Sequence, residues 1–137
     1  MKRTVFLLAA TGIALLLAAP ASTRSSTTLT IKHQTRGCHS WSLNGGAYKA
    51  SQSVTLTKGS TLTIVNNDVM PHKLVRLSGP ALTLPSSANM RHSGAMTKVK
   101  FAKAGVYKFN TRAGDDYMKG IKTVGEDNVL RLTVTIR

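Results

Sequence analysis

Acidic residues are scarce in this chain. It has five Asp and Glu against nineteen Lys and Arg among 137 residues, for a formal net charge of +14. A balance this one-sided keeps a protein soluble and draws it to anionic surfaces such as cell-wall polymers and lipid headgroups. The basic residues are spread along the chain, and no nucleic-acid motif accompanies them, so nucleic acid is not the expected partner. Cysteine is almost missing as well. Cys38 is the single thiol, which excludes an internal disulfide; it must be paired between chains, buried, or used for chemistry. Aromatic residues are few. No segment holds a helical period long enough to make a helix, and beyond the N-terminus no run is apolar enough to cross a bilayer. Nor is there a nucleophile-elbow pattern, and a small sandwich-like chain offers no evident catalytic cleft, so an enzyme is not expected.

The first residues have the layout of an export signal. Lys2 and Arg3 give a positive start, Thr4 to Ala18 is apolar, and Ala19-Pro20-Ala21 is a small-residue cleavage site. At 15 residues the apolar run is shorter than the roughly 20 a membrane span needs; a retained N-terminal anchor is the alternative. The expected organisation is a signal peptide over 1–21, a Ser/Thr-rich flexible leader over 22–28, and one domain over 29–137, secreted or held in the periplasm or cell envelope. Loss of Lys2 and Arg3 lowers the formal charge from +14 to +12.

From Leu29 onward the pattern has period two. Leu29 and Ile31 alternate with Thr30 and Lys32, and Leu62 and Ile64 with Thr61 and Thr63. Val54/Leu56, Val99/Phe101 and Tyr107/Phe109 repeat the pattern, and Leu130, Leu132, Val134 and Ile136 extend it at the C-terminus. Such alternation marks half-buried strands. Turn signals separate them at Asn44-Gly45-Gly46, Lys58-Gly59-Ser60, Asn66-Asn67-Asp68, Ser78-Gly79-Pro80 and Ala104-Gly105. The expectation is an all-β protein: an antiparallel Greek-key sandwich of about seven strands, with irregular connections over 78–95 and 113–128.

Two segments carry a resemblance. Thr61 to Val75, TLTIVNNDVMPHKLV, ends a strand in Asn-Asn-Asp and follows it with Pro-His. Phe101 to Gly120, FAKAGVYKFNTRAGDDYMKG, keeps Phe, Ala-Gly, Tyr and Phe in strand spacing and ends in Met-Lys-Gly. In this order and spacing the chain resembles the cupredoxins, the blue-copper family. The resemblance implies a cupredoxin-like β-sandwich, copper as cofactor, electron transfer as function, and a redox partner protein or a copper donor or acceptor as partner. It marks His72 as the first copper ligand and Met118 as a weak axial thioether.

The chain also departs from the pattern. The family's Cys falls on Thr111 and its second His on or near Gly114, so two of the usual ligands are missing from the C-terminal loop. Gly37-Cys38-His39 follows the first strand and offers a thiol and an imidazole elsewhere. The expected metal set is therefore Cys38, His39, His72 and Met118, since two His, one Cys and a distant Met suit an electron-transfer copper centre. Neighbours in a regular strand point to opposite faces, so Cys38 and His39 can share an ion only if the backbone bends at Gly37. If it does not, His92 is the second nitrogen.

Each of these residues also has an ordinary structural role open to it. Cys38, Trp41 and Met118 could be core residues, His33 an outward strand residue, and Asn66 and Asn67 turn residues. Met90 and Met96 could join His92 in a Cu(I)-binding loop or only cap an edge. Two rival functions follow: a Cu(I) carrier or scavenger, and a metal-free sandwich used for partner binding.

Overall fold

The computed structural model describes residues 26–33, 39–113 and 129–137. Nine strands lie among them: β1 (Thr27–His33), β2 (His39–Leu43), β3 (Ser51–Leu56), β4 (Thr61–Asn66), β5 (His72–Ser78), β6 (Asn89–Met90), β7 (Met96–Lys100), β8 (Gly105–Ala113) and β9 (Leu130–Ile136). A single 3-10 turn, Ser86–Ala88, precedes β6. The strands form two sheets, ordered β2-β1-β4-β7 and β3-β9-β8-β5-β6. The chain is thus the expected all-β sandwich, because each sheet has one apolar face to bury and the other sheet supplies the cover.

The alternation in the sequence is the alternation of burial. In β9, Leu130, Leu132, Val134 and Ile136 turn inward while Arg131 faces solvent; in β4, Leu62 and Ile64 do the same between threonines. Trp41 is fully buried, as a core residue should be. Three rings join the sheets. Phe101, just past β7, meets Tyr107 of β8 edge-on at 5.0 Å between centroids, and Tyr107 stacks on Phe109. Each such contact adds about 1 kcal/mol to the burial itself. The Tyr107 hydroxyl donates to the Lys103 carbonyl at 2.8 Å, which lets its polar end sit in an apolar core.

The architecture differs from expectation in two respects. Among the described residues there are nine strands, not about seven: β2 is short, and β6 is a two-residue strand inside the stretch expected to be an irregular connection. The sheets are also mixed. β1 runs parallel to β4 and β3 parallel to β9, while the remaining pairs are antiparallel. Between each parallel pair the chain crosses to the other sheet, and period-two alternation carries no information on strand direction.

Position 79 requires glycine. At Gly79, just past β5, φ is +116°, and an added Cβ would lie 2.7 Å from the Val106 carbonyl oxygen and 2.9 Å from the Tyr107 Cα. Both neighbours are backbone and cannot yield. Gly79→Ala should therefore cost at least about 2 kcal/mol, read as a lower urea midpoint. Gly45→Ala, at φ +74° with nothing within 4 Å, should cost about 1 kcal/mol. Equal losses at the two positions would refute the steric account.

Candidate metal centre

The connection from β4 to β5 builds the site. Asn66 closes β4 and is buried. Its Oδ1 accepts the backbone N–H of Asp68 at 2.9 Å, and Asp68 Oδ1 in turn accepts the backbone N–H of Met70 at 3.1 Å. These are two successive Asx turns, the local bonding for which Asn and Asp are favoured at turns. The Asn66 amide nitrogen donates to the carbonyls of Met70, Met90 and His92 at 2.9, 3.2 and 3.4 Å, fastening the turn to the segment around β6. Pro71 then restricts the backbone on either side of it and leads into His72, the first residue of β5.

The outcome is a carboxylate and an imidazole facing each other four residues apart. Asp68 Oδ2 lies 3.1 Å from His72 Nε2. On the other side of the ring, His72 Nδ1 lies 3.4 Å from the Thr111 hydroxyl. Asp68, His72 and Thr111 are all 0% exposed. A carboxylate this deep is tolerable only with donors around it; the Met70 N–H and the His72 ring supply two. His33, half exposed, brings Nδ1 to 3.8 Å from Asp68 Oδ1. It is thus more than the outward strand residue suggested by its place in the sequence.

Strand register explains the convergence. His72 is the cross-strand partner of both Met90 in β6 and Ala113 in β8, and Leu74 pairs with Thr111. His33 pairs with His39 across β1 and β2. The β1–β2 connection, which carries Cys38, and the connection leaving Ala113, which carries Met118, therefore both depart from strand ends adjoining the Asp68–His72 pair. Cys38, Met118 and the side chain of His39 lie outside the described residues, so His72 is the one member of the expected set that the structure places.

The alternative donors differ in exposure. His92 is exposed, with its Nδ1 3.0 Å from the Ser93 carbonyl. Met96 is exposed, whereas Met90 is buried opposite His72. Among the described residues no group of three or more His, Cys, Asp or Glu could hold a metal. Thr111 stands beside His72 but presents a neutral oxygen, not soft sulfur.

The fit to copper is thus partial. A buried imidazole with a carboxylate behind its second nitrogen is how ligand histidines are commonly held, yet the described residues supply one nitrogen and no thiolate. A hydroxyl, an imidazole and a carboxylate in line also form the order of an activated nucleophile, but the burial of Thr111 leaves a substrate no approach. Asp68 was not singled out from sequence. Its signal is two Asx-forming residues two apart followed by Pro-His, which by itself marks only a turn.

The fold and site define an all-β sandwich with a buried carboxylate–imidazole pair at one end. No family model matches the chain, and no curated protein matches it. Among solved structures it is similar to a purple cupredoxin from Nitrosopumilus maritimus, at 15% identity over 82% of this chain and 100% of that one, with a TM-score of 0.46. It is also similar to the reduced Cu(I) form of an amicyanin mutant, at 16% identity over 79% and 80%, TM-score 0.44. A third is amicyanin from Paracoccus versutus, at 15% identity over 87% and 85%, TM-score 0.40.

Proposed function

We propose that this chain is an exported, copper-binding cupredoxin-like protein that carries electrons, with His72 as its anchoring ligand. The observation that carries this reading is the buried His72 ring, held at Nε2 by Asp68, at the end of the sandwich from which the segments bearing Cys38 and Met118 depart. Cys38 would supply the sulfur, His39 the second nitrogen and Met118 the weak axial thioether. Copper, when bound, supplies a one-electron couple. The protein's part is to keep the His72 ring in one orientation, exclude water by burial, and hold the donor set on a sandwich that does not rearrange. The +12 expected after export suits approach to an acidic partner protein or an anionic envelope surface.

Metal analysis and an absorption spectrum of the exported protein test the proposal. A copper–thiolate centre is strongly coloured, and Cys38→Ser should remove the colour while leaving the sandwich folded, since the core comes from the alternating strand residues. Stoichiometric copper without colour would favour a Cu(I) carrier instead. The second reading, a metal-free interaction sandwich, draws on the two bonds that His72 makes within the protein and on the lack of a three-donor group among the described residues. Failure to retain any metal would decide for it.

A further inference from the structure

We propose that Asp68 is the positioning residue of this site: it accepts a hydrogen bond from the His72 Nε2–H and thereby fixes the ring as the tautomer whose Nδ1 lone pair faces Thr111. Only the consequence for metal binding rests on the copper reading; the tautomer is a property of the apo protein.

Asp68 is itself held at two points. Its backbone N–H is bound by Asn66 Oδ1, and its Oδ1 is committed to the Met70 N–H. The carboxylate therefore cannot rotate without giving up the turn, and Oδ2 is left directed at His72 Nε2, 3.1 Å away. Taken as ionised, this carboxylate accepts and cannot donate, which puts the proton of the short contact on Nε2. A charge-assisted bond of this kind is about twice as strong as a neutral one, and with both residues fully buried no water competes for it. On the far side Nδ1 then accepts from the Thr111 hydroxyl, which can rotate to donate. Asn66 completes the device. By tying the turn to the carbonyls of Met90 and His92, it keeps the carboxylate from drifting away from the β5 strand that carries the ring.

Nitrogen-15 NMR of the histidine rings in the metal-free protein reads this directly. At neutral pH His72 should show Nε2 protonated and Nδ1 unprotonated. Asp68→Leu should turn this single tautomer into a mixture. Asp68→Asn keeps the side chain's shape and secures a folded comparison; with its oxygen on the Met70 N–H, its amide nitrogen faces Nε2 and can only donate, so it should favour the opposite tautomer, protonated at Nδ1. Copper(II) titration of the same samples should show affinity lowered 10- to 100-fold by Asp68→Leu, the usual effect of losing such a partner, and lowered at least as much by Asp68→Asn, which moves the ring proton onto Nδ1. Protonation at Nδ1 in the wild-type protein, or ring shifts unchanged in both variants, would overturn the proposal whether or not copper binds. A tautomer that responds to Asp68 in a protein that takes up no copper would uphold the positioning role and sink the metal reading alone.

Discussion

His72→Ala is expected to abolish the proposed copper retention and to destabilise the sandwich by about 3 kcal/mol or more, because a fully buried carboxylate loses a hydrogen-bond donor. Domains of this size are stable by only about 5–15 kcal/mol, so the loss should be plain in a thermal or denaturant melt. The cause is Asp68. Its carboxylate is fully buried and faces the His72 ring at 3.1 Å; without the ring it keeps the Met70 N–H but loses a donor at Oδ2, where bulk water does not reach. His72→Gln separates the two roles of this residue. A carboxamide N–H can still donate toward Asp68, so much of the stability should return, but an amide nitrogen has no lone pair for a metal. Copper should therefore be lost in both variants and stability mainly in the first. Copper retained by His72→Gln at wild-type affinity would remove His72 from the ligand set, and an unchanged melt for His72→Ala would refute the account of the buried pair.

Restoring a thiol beside His72 should recover the colour that Cys38→Ser removes. Thr111 Oγ1 is 3.4 Å from His72 Nδ1, and Cys is close to Thr in size, so Thr111→Cys should place sulfur next to the imidazole on the adjacent strand for less than about 1.5 kcal/mol. The double variant Cys38→Ser/Thr111→Cys then carries its only thiol beside His72. Its visible spectrum should show a copper–thiolate band that Cys38→Ser lacks. Thr111→Ala, by contrast, should leave the metal in place and cost roughly 1 kcal/mol through the lost hydrogen bond. If the double variant stays colourless while the wild-type protein is coloured, the donors around His72 are not arranged as proposed. If Thr111→Ala alone releases the metal, Cys38 is not its sulfur ligand.

Much of the fold was legible in the residues. The inward positions of β1, β4, β7, β8 and β9 are those the alternation marked, because a strand with one buried face must repeat every two residues. The exception is β3, where Val54 and Leu56 are only half buried. It lies at a sheet edge, where the cover is incomplete. The site was legible in part. Pro-His pointed to His72, which the structure buries; the same reading allowed His92, Met90 and Met96 to act together, and the structure separates them into two exposed residues and one core residue.

What the sequence determined by itself is local and periodic: the strand faces, the turns at Asn66 to Asp68, and the solitary thiol at Cys38. Strand direction was not among these, since alternation reads the same both ways, and the parallel pairs β1/β4 and β3/β9 emerge only once the chain has crossed between sheets. The partners of His72 were also decided by tertiary structure. Thr111 is 39 residues away along the chain and reaches the ring through the register of β5 against β8. Asp68 is only four residues away, yet its role depends on the direction of its carboxylate. That direction is set by Asn66, whose amide is anchored to carbonyls 24 and 26 residues further on. A turn-forming Asp faces water by default, because desolvating a carboxylate costs more than a turn can return. Here packing against the β6 segment closes off the water and leaves the His72 ring as the donor that replaces it.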